Sequence, residues 1–393
     1  QDIVDGKISI SDIKDLSIED LLNREQVKPN LELLSKNINH KNVLVTGAGG
    51  SIGSELCRQI IRLNPNKLIL LELNEFALYS IHEELKILNK NIKITPLLAN
   101  SQDQKKLEII LDRFKVDTVY HSAAYKHVSL VEENICEGVS NNIFSTMAVA
   151  NASIIKNVST FVLISSDKAV RPTNMMGASK RLCELYLQGI NMCHKENNTD
   201  FSIVRFGNVL ESSGSVIPKF TKQIKEGGPV TLSHEDVTRY FMTVTEAAQL
   251  VIQAGAMGKN SEVYVLEMGE GVKIKDIIYK MIKLSGLSIK NEKNPEGDIE
   301  IEITGLRPGE KLYEELLIGN NPKKTQHSKI QKISDPYIPF NQLENDIMIL
   351  KNLLAENKAF EVKNYLLKLV KSYQSNADMV DHIHIVQSNS QSK

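Results

Sequence analysis

The sequence has little that would tie it to nucleic acid, to a metal cluster or to an oxidising compartment. Its 47 lysines and arginines are balanced by 48 aspartates and glutamates, for a net charge of −1. No global field therefore draws it to nucleic acid or to an acidic membrane surface. There are four cysteines, Cys57, Cys136, Cys183 and Cys193, and no two form a CxxC pair. Such spacing gives no metal site, fits a reducing compartment and leaves the thiols as small buried hydrophobes. No apolar run is long enough to span a bilayer, no signal peptide opens the chain, and no internal repeat is visible. The first residue is Gln1 rather than Met. The chain is therefore read as a piece of a longer protein, and the lack of a membrane segment says little about the parent.

What is present is an alternation of strands and helices. The 393 residues suffice for a sizeable core and more than one lobe. Residues 1–40 form a polar extension with one short helical pattern at 18–22. Strand patterns follow at 43–45, 67–73, 92–98, 116–121 and 161–165, with helical patterns at 54–63 and 78–88 and between the later strands. Strand alternating with helix predicts an α/β fold with a Rossmann-type parallel sheet covered on both faces. Residues 41–210 are expected to form that domain. Residues 211–340, looser and richer in loops, are expected to form a smaller, mixed substrate-binding lobe, with segments returning to the first domain. Residues 341–373 have helical periodicity through Leu343, Ile347, Leu350 and Leu354, and 374–393 read as a mobile polar tail.

The strand at 43–45 runs into Thr46-Gly47-Ala48-Gly49-Gly50-Ser51-Ile52-Gly53 and then a helix. Gly47 allows the tight turn, Gly50 lets a pyrophosphate approach the backbone, and Gly53 lets helix pack closely on strand. Free N–H groups and the dipole at the helix start favour the phosphates. Glu72 closes the next strand, where a carboxylate can accept both ribose hydroxyls and repel a 2′-phosphate. With Leu73 and Asn74 rather than Arg after it, the cofactor is read as NAD and not NADP. The bland alternative is a glycine-rich turn without a dinucleotide, and the agreement of strand, glycines, helix and acid speaks against it. A later strand ends in Ser165-Ser166-Asp167-Lys168, which places a hydroxyl, a carboxylate and an amine at the edge where such sheets bind ligands. Met176-Gly177-Ala178-Ser179-Lys180 follows.

Several stretches together resemble the nucleotide-sugar 4,6-dehydratases of the extended short-chain dehydrogenase/reductase superfamily, the polysaccharide biosynthesis protein family. They are Thr46 to Gly53, His121-Ser122-Ala123-Ala124-Tyr125-Lys126-His127-Val128, Asn141-Asn142-Ile143-Phe144-Ser145-Thr146, and the run from Ser166 to Val170. Further along come Arg205-Phe206-Gly207-Asn208-Val209-Leu210, Thr238-Arg239-Tyr240-Phe241, and Thr304-Gly305-Leu306-Arg307-Pro308-Gly309-Glu310-Lys311-Leu312-Tyr313. They cover roughly residues 41–335. Many members of the superfamily carry Tyr-x-x-x-Lys, in which Tyr is the base; here Met176 holds the Tyr position and cannot take a proton. That resembles the large, membrane-anchored, C5-retaining UDP-N-acetylglucosamine 4,6-dehydratases, such as the one that starts bacillosamine synthesis for bacterial protein glycosylation. In that group the catalytic part follows transmembrane helices, and the lead-in at residues 18–22 is similar too. There are departures: Ser166 for Thr, Glu72 for Asp, Asn100 for the Asp that contacts adenine, and Glu211 for Gly.

The resemblance implies a lyase with tightly bound, recycled NAD. The cofactor takes hydride from sugar C4, water leaves across C5 and C6, and hydride returns to C6. Lys168 is implied as the C5 base, with a lowered pKa so that it is neutral, and Asp167 as the acid for the departing 6-hydroxyl. Ser166 would hydrogen-bond the 4-oxygen and Lys180 the nicotinamide ribose. Asp167, Lys168 or a water could remove the 4-hydroxyl proton. Gly49, Ser51, Ile52, Ser122, Ala123 and Ala124 would line the cofactor with the residues above. Lys126, Asn208, Ser213, Ser215 and Glu310 would line the UDP-sugar, with Arg239 and Arg307 either on its diphosphate or in salt bridges. His121 and His127 are read as structural or cofactor-adjacent rather than as metal ligands. Implied partners are UDP-N-acetylglucosamine and further copies of the chain, with a cytoplasmic catalytic domain anchored at the bacterial inner membrane through a region before this sequence. The rival readings are a UDP-sugar epimerase, a C5-inverting dehydratase and a non-catalytic NAD-bound sensor or scaffold.

Overall fold

A computed structural model describes residues 28–193, 198–210, 212, 214–317, 322–375 and 378–391. Strands β1 (Asn42–Thr46), β2 (Lys67–Glu72), β3 (Lys93–Leu98), β4 (Thr118–His121), β5 (Thr160–Ile164) and β6 (Asp200–Arg205) pair in parallel in the order β3-β2-β1-β4-β5-β6. The strand Glu262–Leu266 adds to β6 in parallel, and Ile330–Ile333 and Lys323–Lys324 follow antiparallel, which completes nine strands. This is the doubly wound order, with the reversal between β1 and β4 that opens a ligand crevice at the strand ends.

Alternate residues explain why both faces are covered. Leu44, Ile69, Val119, Phe161 and Ile203 enter one apolar cluster. Their neighbours Val45, Leu70, Tyr120, Val162 and Val204 enter the other. Successive strand residues point to opposite faces, so a strand buried on both reads as a continuous apolar run. On the first face lie the helices Gln104–Phe114, Ile135–Ile155 and Met175–Cys193, backed by Phe340–Ala355 and Ala359–Leu369. On the second lie Leu31–Lys36, Ser51–Arg62, Glu75–Leu88 and Val244–Met257. Local signals set several of these starts. Asn74, Asp103 and Thr243 each cap a helix by accepting from the N–H three residues on.

The smaller lobe has its own core, with Ile217, Phe220, Val230, Ile277, Ile278 and Ile299 packed beside a three-stranded sheet. The segments Val244–Met257, Glu262–Leu266 and Ile330–Ile333 return from it to the main domain. One expectation is corrected. The glycine-loop helix begins at Ser51 and not at residue 54, because Gly50 is its cap and Gly53 already lies in its first turn. Near the end of the chain Asp381 is 4% exposed and accepts from the Ile135 N–H at 2.8 Å, and a helix follows at His382–Gln391. Cys57, Cys136 and Cys183 are buried, whereas Cys193 is exposed at its helix end. The lead-in at 18–22, Glu211 and Ser213 lie outside the described residues.

Candidate active site

The ends of β1, β2 and β4 build the first half of the site. Gly47 turns with φ +63°, in the region that favours glycine. A Cβ on Gly53 would stand 2.0 Å from the Gly47 carbonyl oxygen, so the helix can lie this close to the strand only without a side chain. Gly50 caps the helix with no side-chain hydrogen bond. Glu72 Oε2 accepts from the Gly49 N–H at 3.0 Å, and its Oε1 accepts from Leu73 and Asn74. Across the crevice, the Ser122 hydroxyl donates to the Thr46 carbonyl at 2.7 Å, and the Ala123 N–H points to the Thr46 hydroxyl at 3.4 Å, with Ala124 following. Beneath them His121 is buried, with Nδ1 2.8 Å from the Thr46 hydroxyl and Nε2 3.1 Å from that of Thr146. Burial, helped by Lys180, pushes the His121 pKa down to about 3 and keeps the ring neutral. These features fit a dinucleotide with its phosphates on the helix start and a ribose at Glu72. Asn100 is exposed, and its side chain accepts from the Gln102 N–H at 2.9 Å.

The second half rises from the end of β5. The Asp167 N–H donates to the Phe206 carbonyl at 3.0 Å, which fixes the turn against the end of β6. Asp167 is fully buried; its Oδ1 accepts from the Ser166 hydroxyl at 2.8 Å and from Lys168 Nζ at 3.1 Å. Its Oδ2 is buried with no protein partner. Lys168 Nζ also donates to Asn208 Oδ1 at 3.2 Å and lies 3.5 Å from Glu314 Oε1. Burial alone would lower the Lys168 pKa, but Asp167 and Glu314 outweigh burial and the smaller effect of Arg239, so the pKa is raised. This corrects the expectation of a lowered value: the two carboxylates favour the ammonium form.

One helix completes the floor. Lys180 donates to the Ile164 carbonyl at 3.0 Å, and burial lowers its pKa against smaller opposing effects of Cys183 and Glu184. Met176 is 3% exposed and belongs to the core. The Glu132 carboxylate accepts from the Met175 N–H at 2.5 Å and so anchors the start of this helix. Asn142 donates to the Ser179 hydroxyl at 3.0 Å and accepts from the Tyr125 N–H at 2.7 Å.

The structure thus joins Ser166, Asp167, Lys168 and Asn208 directly, and Glu314 links them to Arg239 and Glu310. Arg239 is 8% exposed and pairs with Glu310 at 3.1 Å and Glu314 at 3.8 Å. Lys126 and Arg307 are exposed. The Ser215 hydroxyl is buried with no hydrogen-bond partner, at the start of the helix Val216–Lys225. The sequence reading missed Glu314, one residue beyond its last motif, and Glu132 and Asn142. Of these only Asn142 lay in a stretch already singled out.

Residues 43–335 match the polysaccharide biosynthesis protein family. The capsular polysaccharide biosynthesis protein CapD of Staphylococcus aureus is 44% identical over 369 residues, 93% of this chain and 60% of that protein. The probable polysaccharide biosynthesis protein EpsC of Bacillus subtilis is 48% identical over 316 residues, 80% of this chain and 51% of its own. The chain therefore spans between about half and three-fifths of the length of these relatives. Among solved structures, Pen from Bacillus thuringiensis superposes with a TM-score of 0.68 at 30% identity, over 79% of this chain and 98% of that one. A dTDP-glucose 4,6-dehydratase from Streptomyces venezuelae, solved with NAD, shares the fold at a TM-score of 0.60 and 19% identity, over 70% of this chain and 87% of that one. With the glycine loop, the Asp167–Lys168 pair and the block ending at Tyr313 all inside the matched region, the chain belongs to the polysaccharide biosynthesis protein family.

Proposed function

We propose that the chain is the catalytic part of an NAD-dependent UDP-N-acetylglucosamine 4,6-dehydratase. It would form UDP-2-acetamido-2,6-dideoxy-α-D-xylo-hex-4-ulose and water, with C5 retained, for glycan or glycoprotein synthesis. The observation that carries this is the contact of 3.1 Å between the buried Asp167 and the half-buried Lys168 at the end of β5. One proton transfer across it converts carboxylate and ammonium into a carboxylic acid and a neutral amine. Those are the two forms an elimination needs: a base for the C5 proton and an acid for the departing 6-hydroxyl. When bound, NAD supplies the hydride acceptor and donor. Lys180 orients the nicotinamide ribose, the Ser166 hydroxyl holds the 4-oxygen, and Asn208 holds Lys168 in place. Retention follows if Lys168 returns the proton to the face of C5 from which it took it. Arg239, Arg307, Lys126, Ser215 and Ser213 are assigned to the nucleotide-sugar side.

Incubation with UDP-N-acetylglucosamine tests this. Mass spectrometry should show loss of one water, and NMR of the earliest product a D-configured C5. An unchanged mass with inversion at C4 would make the chain an epimerase; the UDP-glucose 4-epimerase of Rickettsia bellii is 30% identical over 73% of this chain and 80% of its own. An L-configured first product would remove the retaining assignment alone. Neither reaction, in protein that holds cofactor, would leave the sensor reading.

The purified protein is also expected to release NAD, and not NADP, on denaturation, because the Glu72 carboxylate faces the position of a 2′-phosphate. Tighter binding of NADPH than of NADH would refute this reading of Glu72. We further propose a homo-oligomer at the cytoplasmic side of a bacterial inner membrane, anchored through a region outside this sequence. The motive for the anchor is 43% identity over 71% of this chain to the uncharacterized membrane protein MJ1061 of Methanocaldococcus jannaschii. Among the described residues no helix is long and apolar enough to cross a membrane. Light scattering and fractionation of the full-length protein test both points.

A further inference from the structure

Three oxygens surround the Lys168 amine: Asp167 Oδ1 at 3.1 Å, Asn208 Oδ1 at 3.2 Å and Glu314 Oε1 at 3.5 Å. An ammonium has three donors, so this shell suits the charged form. A neutral amine has two donors and a lone pair, and the lone pair would oppose one oxygen. Asn208 can turn its amide and offer N–H instead. Asp167 can offer O–H once it has received the proton. Glu314, while ionised, offers the lone pair nothing.

Glu314 is also held where it is. The carbonyl of Gly309 accepts from the Thr173 hydroxyl at 2.9 Å and the Asn174 amide at 3.0 Å, and Lys311 donates to the Val170 carbonyl at 3.0 Å. Arg171 pairs with Glu315 at 2.8 Å. These contacts lace the segment carrying Glu314 to the loop that follows Lys168. Glu314 is 7% exposed, its Oε2 is buried without a hydrogen-bond partner, and Arg239 Nε stands 3.8 Å from its Oε1. Asp167, Glu314 and Arg239 are the charged groups that face Lys168; Glu310 pairs with Arg239 and accepts from the Ser233 hydroxyl and the Arg307 N–H.

We propose that Glu314 is a positioning residue for the elimination: it locks the Lys168 amine against Asp167 and keeps their shared proton on Lys168 in the substrate-free enzyme. The elimination rests on the dehydratase reading above; the location of the proton does not. The experiment uses the whole chain labelled with ¹⁵N at lysine, as wild type, Glu314→Gln and Glu314→Asp, with the Lys168 signal identified by its loss in Lys168→Arg. In Glu314→Gln the Lys168 amine should titrate about one to three pH units lower, the size of effect of an opposite charge at this range. Glu314→Asp should restore most of the difference. In turnover of UDP-N-acetylglucosamine, the limb that rises as Lys168 deprotonates should move to lower pH by a similar amount, with little change in KM. Identical titrations in the three proteins overturn the proposal, as does a change in KM with an unmoved pH profile. If Glu314→Gln does not fold, Glu314→Ala takes its place in the same titration, since it also removes the charge; no shift in it refutes the role. A shifted titration in protein that forms no dehydrated product supports the hold on the proton and removes the elimination.

Discussion

Lys168→Ala and Asp167→Asn should each lose about a hundredfold to ten-thousandfold in dehydration, the usual worth of a general acid or base, while NAD stays bound. The two side chains meet each other, and Lys168 also meets Asn208 and Glu314; the glycine loop and Glu72 lie at the ends of other strands. Asparagine keeps the shape of Asp167 and its contact with Ser166, but it cannot accept and return a proton at neutral pH. Because the pair acts as one unit, the double variant should lose little more than either single one. The measurement is water loss by mass spectrometry, with the cofactor released by denaturation quantified in the same samples. Turnover near wild type in either variant would take that residue out of the mechanism.

The second large effect lies below the site. Glu184 is fully buried and accepts from Arg205 Nε at 2.7 Å, from Arg181 at 2.9 Å and from the Ser165 hydroxyl at 2.6 Å. Arg205 also pairs with Asp335. Removing one member of such a buried set leaves the others charged and unmatched, so Glu184→Ala should cost about 3–5 kcal/mol, read by urea denaturation at neutral pH. Burial alone would raise the Glu184 pKa, but Arg205, Arg181 and Ser165 overrule it and hold the carboxyl down at about 2. An unfolded Glu titrates near about 4.3. The folded value is the lower one, so the contribution is complete above the unfolded pKa and is lost as pH falls towards about 2. Wild type should therefore weaken more steeply than Glu184→Gln over that acid range. Parallel slopes, or a loss below about 1 kcal/mol in the alanine variant, which is the scale of a surface pair, would contradict this account.

The parts legible in the sequence are those in which backbone geometry or a sheet period leaves a local trace. Gly47 and Gly53 are required by a turn and by a close approach, and alternating burial on two faces writes itself as apolar runs such as 68–71. Ser166, Asp167 and Lys168 were legible from their place at a strand end. Glu314 was not: a carboxylate after Tyr313 looks like any solvated Glu, and only the folded chain presses it against Lys168. Arg205, Glu184 and Asp335 were hidden for the same reason, since Arg205 and Asp335 lie 130 residues apart. The raised pKa of Lys168 needed the second carboxylate and could not be foreseen from the first. The contact of Asp381 with the Ile135 N–H was hidden too, because it joins residues 246 apart.

The strand Glu262–Leu266 shields β6 only after much of the smaller lobe has been made, and Ile330–Ile333 joins later still. A ribosome adds about 5–20 residues each second. During synthesis β6, with the apolar Phe201 and Ile203, therefore stands for seconds as an uncovered edge able to pair with another nascent chain. Expression at lower temperature or with more chaperone should raise the soluble yield without changing the finished fold, and a truncation before residue 262 should aggregate rather than yield a free Rossmann-type domain.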